Sequence, residues 1–230
     1  MKKIFSIFLA FLLIQSAISQ DKSNRGREFW LGYGFNYGYF NDAPVNQQEL
    51  ALYISTELPA TVTVSINSTG WSQTVNIPAN TVNATILIPK SGVNDARILT
   101  DGLSTRGIHI LSDVPVAVYA HVYALMVSGA TMLMPVESYG YKYYSIIYYQ
   151  TTSQSNPNDW YSWFYAVASE DNTRLEITPS DTTKNGWLPG VTYTINLNKG
   201  EMFNVFGKAV FNITADSASK DMTGSKIVSV

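Results

Sequence analysis

The feature that most restricts what this chain can fold into is a succession of short motifs spelled twice along it. Glu28-Phe-Trp-Leu-Gly-Tyr33 precedes Lys142-Tyr-Tyr-Ser-Ile-Ile147 by 114 positions, and Tyr53 to Val64 precedes Ala166 to Ile177 by 113. The order continues with Trp71 and Trp187, then Val75-Asn-Ile77 and Ile195-Asn-Leu197, then Gly107 to Ser112 and Gly224 to Ser229. Single matches this short arise by chance, but one order kept over offsets of 113 to 120 points to two tandem units.

Within each unit the apolar period is two rather than 3.6. Val62, Val64 and Ile66 alternate with Thr61, Thr63 and Ser65, and Val82, Ala84, Ile86 and Ile88 repeat the pattern, as half-buried strands require. Turn residues separate these runs, among them Asn67-Ser-Thr-Gly70, Pro78-Ala-Asn80 and Asn198-Lys-Gly200. The expected fold is all-β, with tandem β-sandwich-like units of about seven antiparallel strands each; a β-barrel or a propeller-like fold is the alternative. Strands are expected near 28–35, 49–56, 60–66, 72–77, 82–88, 107–112 and 115–123, then near 141–149, 161–169, 173–178, 191–197, 201–206, 210–215 and 225–230. A hairpin pivoting on Asp113-Val114 would set His109 opposite Val118 and His121 opposite Arg106. Nothing after Ser229 matches Pro115-Val-Ala-Val-Tyr119. The second unit is therefore expected to have an open strand edge and to be truncated, the chain being a fragment of a longer protein.

The N-terminus reads as an export signal. Met1, Lys2 and Lys3 precede an apolar run from Ile4 to Ile14, and Ala17-Ile-Ser19 places small residues before Gln20. The expected division is a signal peptide at 1–19, a first β unit at 20–138 and a second at 139–230. No later stretch reaches transmembrane length. With no cysteine in 230 residues there is no disulfide scaffold, no thiol nucleophile, no Cys-ligated metal and no lipid-anchored cysteine, so the mature chain is expected to be secreted or at the cell surface without being a lipoprotein. An exported chain without disulfides is commoner in bacteria than in animals. A formal charge of −2, with charged residues at 14 %, offers no basic footprint for nucleic acid.

Catalytic constellations are not found in the sequence, and no enzyme is expected. There is no Gly-x-Ser-x-Gly, the two histidines lack metal-ligand spacing, and Glu57 and Glu170 fall at matching turns of the two units, where a glycosidase acid pair is the less economical reading. Gly32, Gly34 and Gly38 have no helix after them to receive a pyrophosphate; they mark a bulge or close packing within an aromatic strand. The Asp- and Asn-bearing loops at Asn94-Asp95, Asp101 and Asn156 to Asp159 lack the spacing of a known calcium site, so neither metal nor cofactor is expected. The stretches between the first two strands of each unit are different in kind. Phe35 to Pro44, and Gln150 to Asn158 leading into Asp159-Trp-Tyr-Ser-Trp163, combine rings with amides, which suits protein or sugar surfaces. Tyr37, Tyr39, Phe40, Trp160 and Tyr161 are the candidate contact residues, whereas Trp30, Phe35 and Trp163 read as core or inter-unit packing.

Several segments also resemble a known family. Gly26 to Trp30, Leu52 to Ser55 with Thr61 to Val64, Pro115 to Tyr119, Gly140 to Tyr144, Ala166 to Thr173 with Glu176 to Pro179, Asn196 to Glu201 and Met222 to Ile227 are together similar to the N-terminal domain of the IgGFc-binding protein family, from about Arg27 onward. The resemblance implies a non-enzymatic extracellular binding or adhesion domain of the kind found in bacterial surface proteins, with glycoprotein, glycan or protein as its partner. It supplies no ligand-contacting residues. A structural spacer of a longer surface protein and an accessory domain of a carbohydrate-active enzyme are the alternatives.

Overall fold

A computed structural model describes residues 23–36, 48–124, 128–148, 161–212 and 217–230. The protein is all-β. Helix among these residues is confined to two single 3-10 turns, Gly92–Asn94 and Val136–Ser138. The first strands are β1 (Arg25–Leu31), β2 (Glu49–Thr56), β3 (Ala60–Ile66), β4 (Ser72–Ile77), β5 (Thr81–Ile88), β6 (Gly102–Ser104), β7 (Ile108–Tyr123) and β8 (Ser128–Met132). There follow β9 (Lys142–Tyr144), β10 (Trp163–Val167), β11 (Thr173–Thr178), β12 (Tyr193–Leu197), β13 (Met202–Phe206), β14 (Ala209–Asn212), β15 (Ser217–Ser219) and β16 (Lys226–Ser229).

The first region is built on β7. Its first half pairs with β3 on one edge and β1 on the other, and its second half pairs with β2 and β8. With β4 on β3 and β5 on β2, a single antiparallel sheet curls into two wings that share β7, as when a strand passes from one layer of a sandwich to the other. No hairpin forms at Asp113-Val114. Pro115, which has no N–H to donate to a ladder, sits where β7 changes partners, and the Asp113 carboxylate accepts the N–H of Thr61 at 2.8 Å where β3 begins. His109 therefore lies opposite Trp30 and Ser65, and His121 opposite Ala51 and Ala130, not opposite Val118 and Arg106. The alternating residues of the wings meet in one core that includes Phe29, Leu50, Leu52, Ile54, Val62, Val64, Ile86, Ile110, Val116 and Val118. Each such side chain taken from water contributes about 1.5–3 kcal/mol.

The second region has two smaller sheets and a hairpin. One sheet runs β12-β11-β16-β9, the other β10-β13-β6, and β14 pairs with β15. Phe164, Leu175, Ile177, Leu197, Val205, Met222 and Ile227 fill the space between the two sheets. The order β12-β11-β16-β9 mirrors β4-β3-β7-β1 in the first region, and the registers agree. Val62 faces Val75 and Ser112; at the motif offsets Leu175 faces Ile195 and Ser229. Glu28 faces Leu111, and Lys142 faces Val228. The inward residues Leu50, Leu52 and Ile54 of β2 correspond to Phe164 and Ala166 of β10 and to Ala168 just after it, one position on from the 113-residue offset.

β6 crosses this division. It lies in sequence between β5 and β7 yet pairs with β13, Leu103 opposite Phe203. Close backbone contact accompanies it: a Cβ on Gly107 would stand 2.3 Å from the Gly200 carbonyl oxygen, and one on Gly32 would stand 2.1 Å from the Met202 methyl carbon. The two regions are joined by a strand and by a close backbone approach at Gly107, where any side chain would meet the Gly200 carbonyl.

Candidate binding surface

Two stretches lead from the first strand of each region toward the second, and their roots meet. Tyr33 is fixed by three bonds around it: its hydroxyl donates to the Ala51 carbonyl at 2.6 Å, its carbonyl accepts the Ile98 N–H at 2.9 Å, and the N–H of Gly32 donates to the Tyr165 hydroxyl at 3.1 Å. Gly34 lies against the Trp163 ring so closely that a Cβ would stand 1.8 Å from it. The backbone is thereby carried past Trp163 and delivers Phe35 inward.

From the other side, Ser162 is pinned by the N–H groups of Met222 and Gly207, donating to its hydroxyl and carbonyl, while its own N–H donates to the Ser219 hydroxyl. That fixes Tyr161 next to it. Phe35, Tyr161 and Phe206 then form a buried trio: the Phe35 ring meets Tyr161 at 5.3 Å and Phe206 at 5.2 Å edge-on, and Tyr161 stacks on Phe206 at 5.0 Å. The Lys184 ammonium lies 4.5 Å from the Tyr161 ring centroid and 3.9 Å from the Asp101 carboxylate.

Of the candidate contact residues, Tyr37, Tyr39, Phe40 and Trp160 lie outside the described residues. Tyr161 is 7 % exposed and belongs to the buried aromatic trio, so it is a packing residue here and not a surface contact. Phe35 is buried and Trp163 half-buried. Lys184 and Phe206 are not singled out by the sequence, and Asp101 enters there only as an acidic loop residue weighed for calcium. Lys184 and Asp101 stand in turns with no periodicity to mark them, and only the pairing of β6 with β13 brings Asp101 near.

A second polar group lies where the regions adjoin. Glu28 Oε1 meets His109 Nε2 at 2.8 Å, Lys199 Nζ at 3.0 Å and Trp30 Nε1 at 3.3 Å, and the Trp30 and His109 rings stack at 4.0 Å. Burial pushes the His109 imidazole below its ordinary pKa in spite of Glu28, so at neutral pH it is uncharged and donates its Nε2 hydrogen. Burial works against a charged Glu28 as well, but the hydrogen bonds from Lys199 and His109 outweigh it and hold the carboxyl below the usual range. Burial pushes the nearby Tyr139 hydroxyl up to about 12. These groups hold one another and leave no nucleophile beside a base.

His121 is engaged by Ser128 at 2.6 Å and Tyr53 at 3.4 Å, on the other half of β7 from His109. Glu57 pairs with Arg25, and Asp95 with Arg97. No three His, Asp or Glu side chains converge as metal ligands among the described residues, and no helix there is long and apolar enough to cross a membrane.

No curated protein and no solved structure matches the chain. A family model does match, over residues 129–230 and so from within β8 to the end of β16, a narrower span than the motifs from Arg27 onward suggest. The chain resembles, over that C-terminal part, the IgGFc binding protein family.

Proposed function

We propose that this chain is an exported binding module, with residues 1–19 as its signal peptide, that engages glycoprotein or glycan outside the cell through the two ring-bearing loops. The meeting of their roots carries the reading. Phe35 and Tyr161, 126 positions apart in the sequence, would otherwise have no reason to share one aromatic base, and here their rings lie 5.3 Å apart. A shared, buried base allows two loops to form one contact surface, because the scaffold beneath them has already lost its freedom. The likeness to a binding-protein family supports the same reading. On it, Tyr37, Tyr39, Phe40 and Trp160 supply contact and Tyr161 supplies support. A second reading, a spacer unit of a longer surface protein, draws on the matching strand order of the two regions.

The full chain, immobilised, would be tested against mucin, a glycan array and immunoglobulin. Saturable binding to one class is expected, with at least a tenfold loss when Tyr37, Tyr39 and Phe40 are all replaced by Ser and thermal unfolding is unchanged. Equal binding by that variant, or none by the parent, would leave the spacer reading in its place.

A further inference from the structure

The pairing of β6 with β13 assembles more than a junction. Asn204 lies opposite Gly102 in that ladder, so Asp101, the residue before β6, reaches the same cavity as the Asn204 side chain although 103 positions separate them. Thr183, Asn185 and Trp187 also line this cavity, whose volume of about 10 Å³ is room for a single water or a bare ion. Asp101 comes from the first region and Asn204 from the second.

Asn204 is 0 % exposed and the Asp101 side chain 13 % exposed, yet Asn204 Oδ1 and Asp101 Oδ2 accept no hydrogen bond from any described residue. The Asn204 Nδ2 group is turned toward the Gly102 carbonyl at 3.5 Å, which leaves Oδ1 without a donor. Lys184 does not supply one. Its Nζ stands 3.9 Å from the other carboxylate oxygen, Oδ1, beyond hydrogen-bond reach, and lies 4.5 Å and 5.6 Å from the Tyr161 and Phe206 ring centroids. Two buried acceptors on one cavity, one of them a carboxylate oxygen, are unfavourable unless something positive, or something that donates to both, stands between them.

We propose that this cavity binds a calcium ion, with Asp101 Oδ2 and Asn204 Oδ1 among its ligands, and that the ion clamps β6 of the first region to β13 of the second. Calcium accepts an irregular shell of oxygens in which amide carbonyl, hydroxyl and water serve beside carboxylate, whereas magnesium demands a near-ideal octahedron. No third acid is therefore needed. Loop spacing does not mark such a site, because its two oxygens come from different regions of the chain and meet only through the β6–β13 register. With one carboxylate as ligand and the Lys184 ammonium close by, the site is a weak one, with a Kd of about 0.1–1 mM.

The test uses the whole 230-residue chain, stripped with a chelator and held at constant ionic strength in sodium chloride. Terbium, which takes calcium sites and luminesces by energy transfer from a nearby tryptophan, is the first probe, with Trp187 at the cavity as its antenna. A saturable signal displaced by calcium is expected, and at saturating calcium the amide hydrogens of Leu103 and Ser104 in β6 should exchange about tenfold more slowly. Asp101→Asn should weaken calcium binding about tenfold or more, and Lys184→Met, which removes the competing cation, should tighten it severalfold. The proposal fails if about 10 mM calcium neither displaces terbium nor slows those amides, the result expected if a trapped water only satisfies the two oxygens. It fails equally if Asp101→Asn, folded as the parent by circular dichroism, binds as tightly, or if Lys184→Met binds no better than the parent. The variant with Ser at Tyr37, Tyr39 and Phe40 should bind calcium unchanged, so loss of the loop function and loss of this site are separable.

Discussion

The sheet β4-β3-β7-β1 and the sheet β12-β11-β16-β9 run the same ladder in different surroundings. In the first, the strand that forms the ladder's middle continues for sixteen residues, bends at Pro115 and closes the opposite wing, so one core serves both layers. In the second, β16 takes the same place in the ladder between β11 and β9, and the layer facing it includes β6, drawn from the first region. The ladder sets what each strand pairs with locally. The layer facing the second ladder draws β6 from the first region, so the two regions are not independent.

The most damaging way to test that contrast is to empty each core. Phe29 is fully buried between the wings, and Phe29→Ala is expected to cost about 3–5 kcal/mol. Phe164 lies beside an open groove, where neighbours have room to relax, and Phe164→Ala should fall at or below the lower end of that range, about 3 kcal/mol. Urea unfolding of both variants decides it. Equal losses would mean that the second core is as tightly closed as the first.

Next in size is the turn that leads into β5 and into β13. Asn80 has φ +58° and Gly200 has φ +78°, the same left-handed conformation at matching turns. Asn80 is exposed, so Asn80→Gly should change stability by no more than about 0.5 kcal/mol. A Cβ at Gly200 would stand 2.6 Å from Asn67 Nδ2 and 2.9 Å from the Trp30 ring, so Gly200→Asn, though tolerant of that φ, should cost about 1–3 kcal/mol. If the two exchanges cost the same, the turn at 200 does not bear on the junction.

These positions also separate what was legible in the sequence from what was not. β3 and β11 announce themselves because Val62, Val64, Leu175 and Ile177 alternate with polar residues and one face is buried. The bend in β7 was read as a turn because Asp113 and Pro115 are turn formers; that a side-chain acceptor for Thr61 lets a strand run through them is a tertiary fact. β8 is Ser-Gly-Ala-Thr-Met and exposed along its whole length, and β6 is three residues, so neither offers a period. The aromatic base was legible only in part. Phe35 and Trp163 read as packing residues from their company, but Lys184 and Asp101 reach the site through contacts across more than eighty positions.

A smaller effect is expected from the charged group between the regions. Glu28 is held below its ordinary value of 4.5, so its contribution is present above that pH and lost as the pH falls through the folded value. His109 is held below its ordinary 6.5, so the folded state resists its protonation and loses stability as the pH falls below about 6.5. Both act in one direction, and acid weakens the junction. Glu28→Gln should cost on the order of 1 kcal/mol at pH 7, and its difference from the parent should shrink progressively as the pH falls below 4.5. A constant difference from pH 7 to pH 3 would show that the charge on Glu28 is not what holds Lys199 and His109.

The smallest effect is expected where the two regions differ in a charge pair without differing in structure. Glu57 and Glu170 stand at matching turns; Glu57 pairs with Arg25 at 2.7 Å, while the backbone carbonyl of Glu170 accepts the Thr173 hydroxyl and no cation pairs with its carboxylate among the described residues. Arg25 and Glu57 both lie at the surface, where water and salt screen the pair and two long side chains must be held still to form it. Arg25→Ala would leave Glu57 in the state Glu170 already occupies, and no measurable change in the urea midpoint is expected at 0.15 M salt. A clear loss would mean that the aliphatic stem of Arg25, not its charge, packs the edge of β1 where Gly26 meets Pro135, and Arg25→Met, which keeps the stem, would then restore stability.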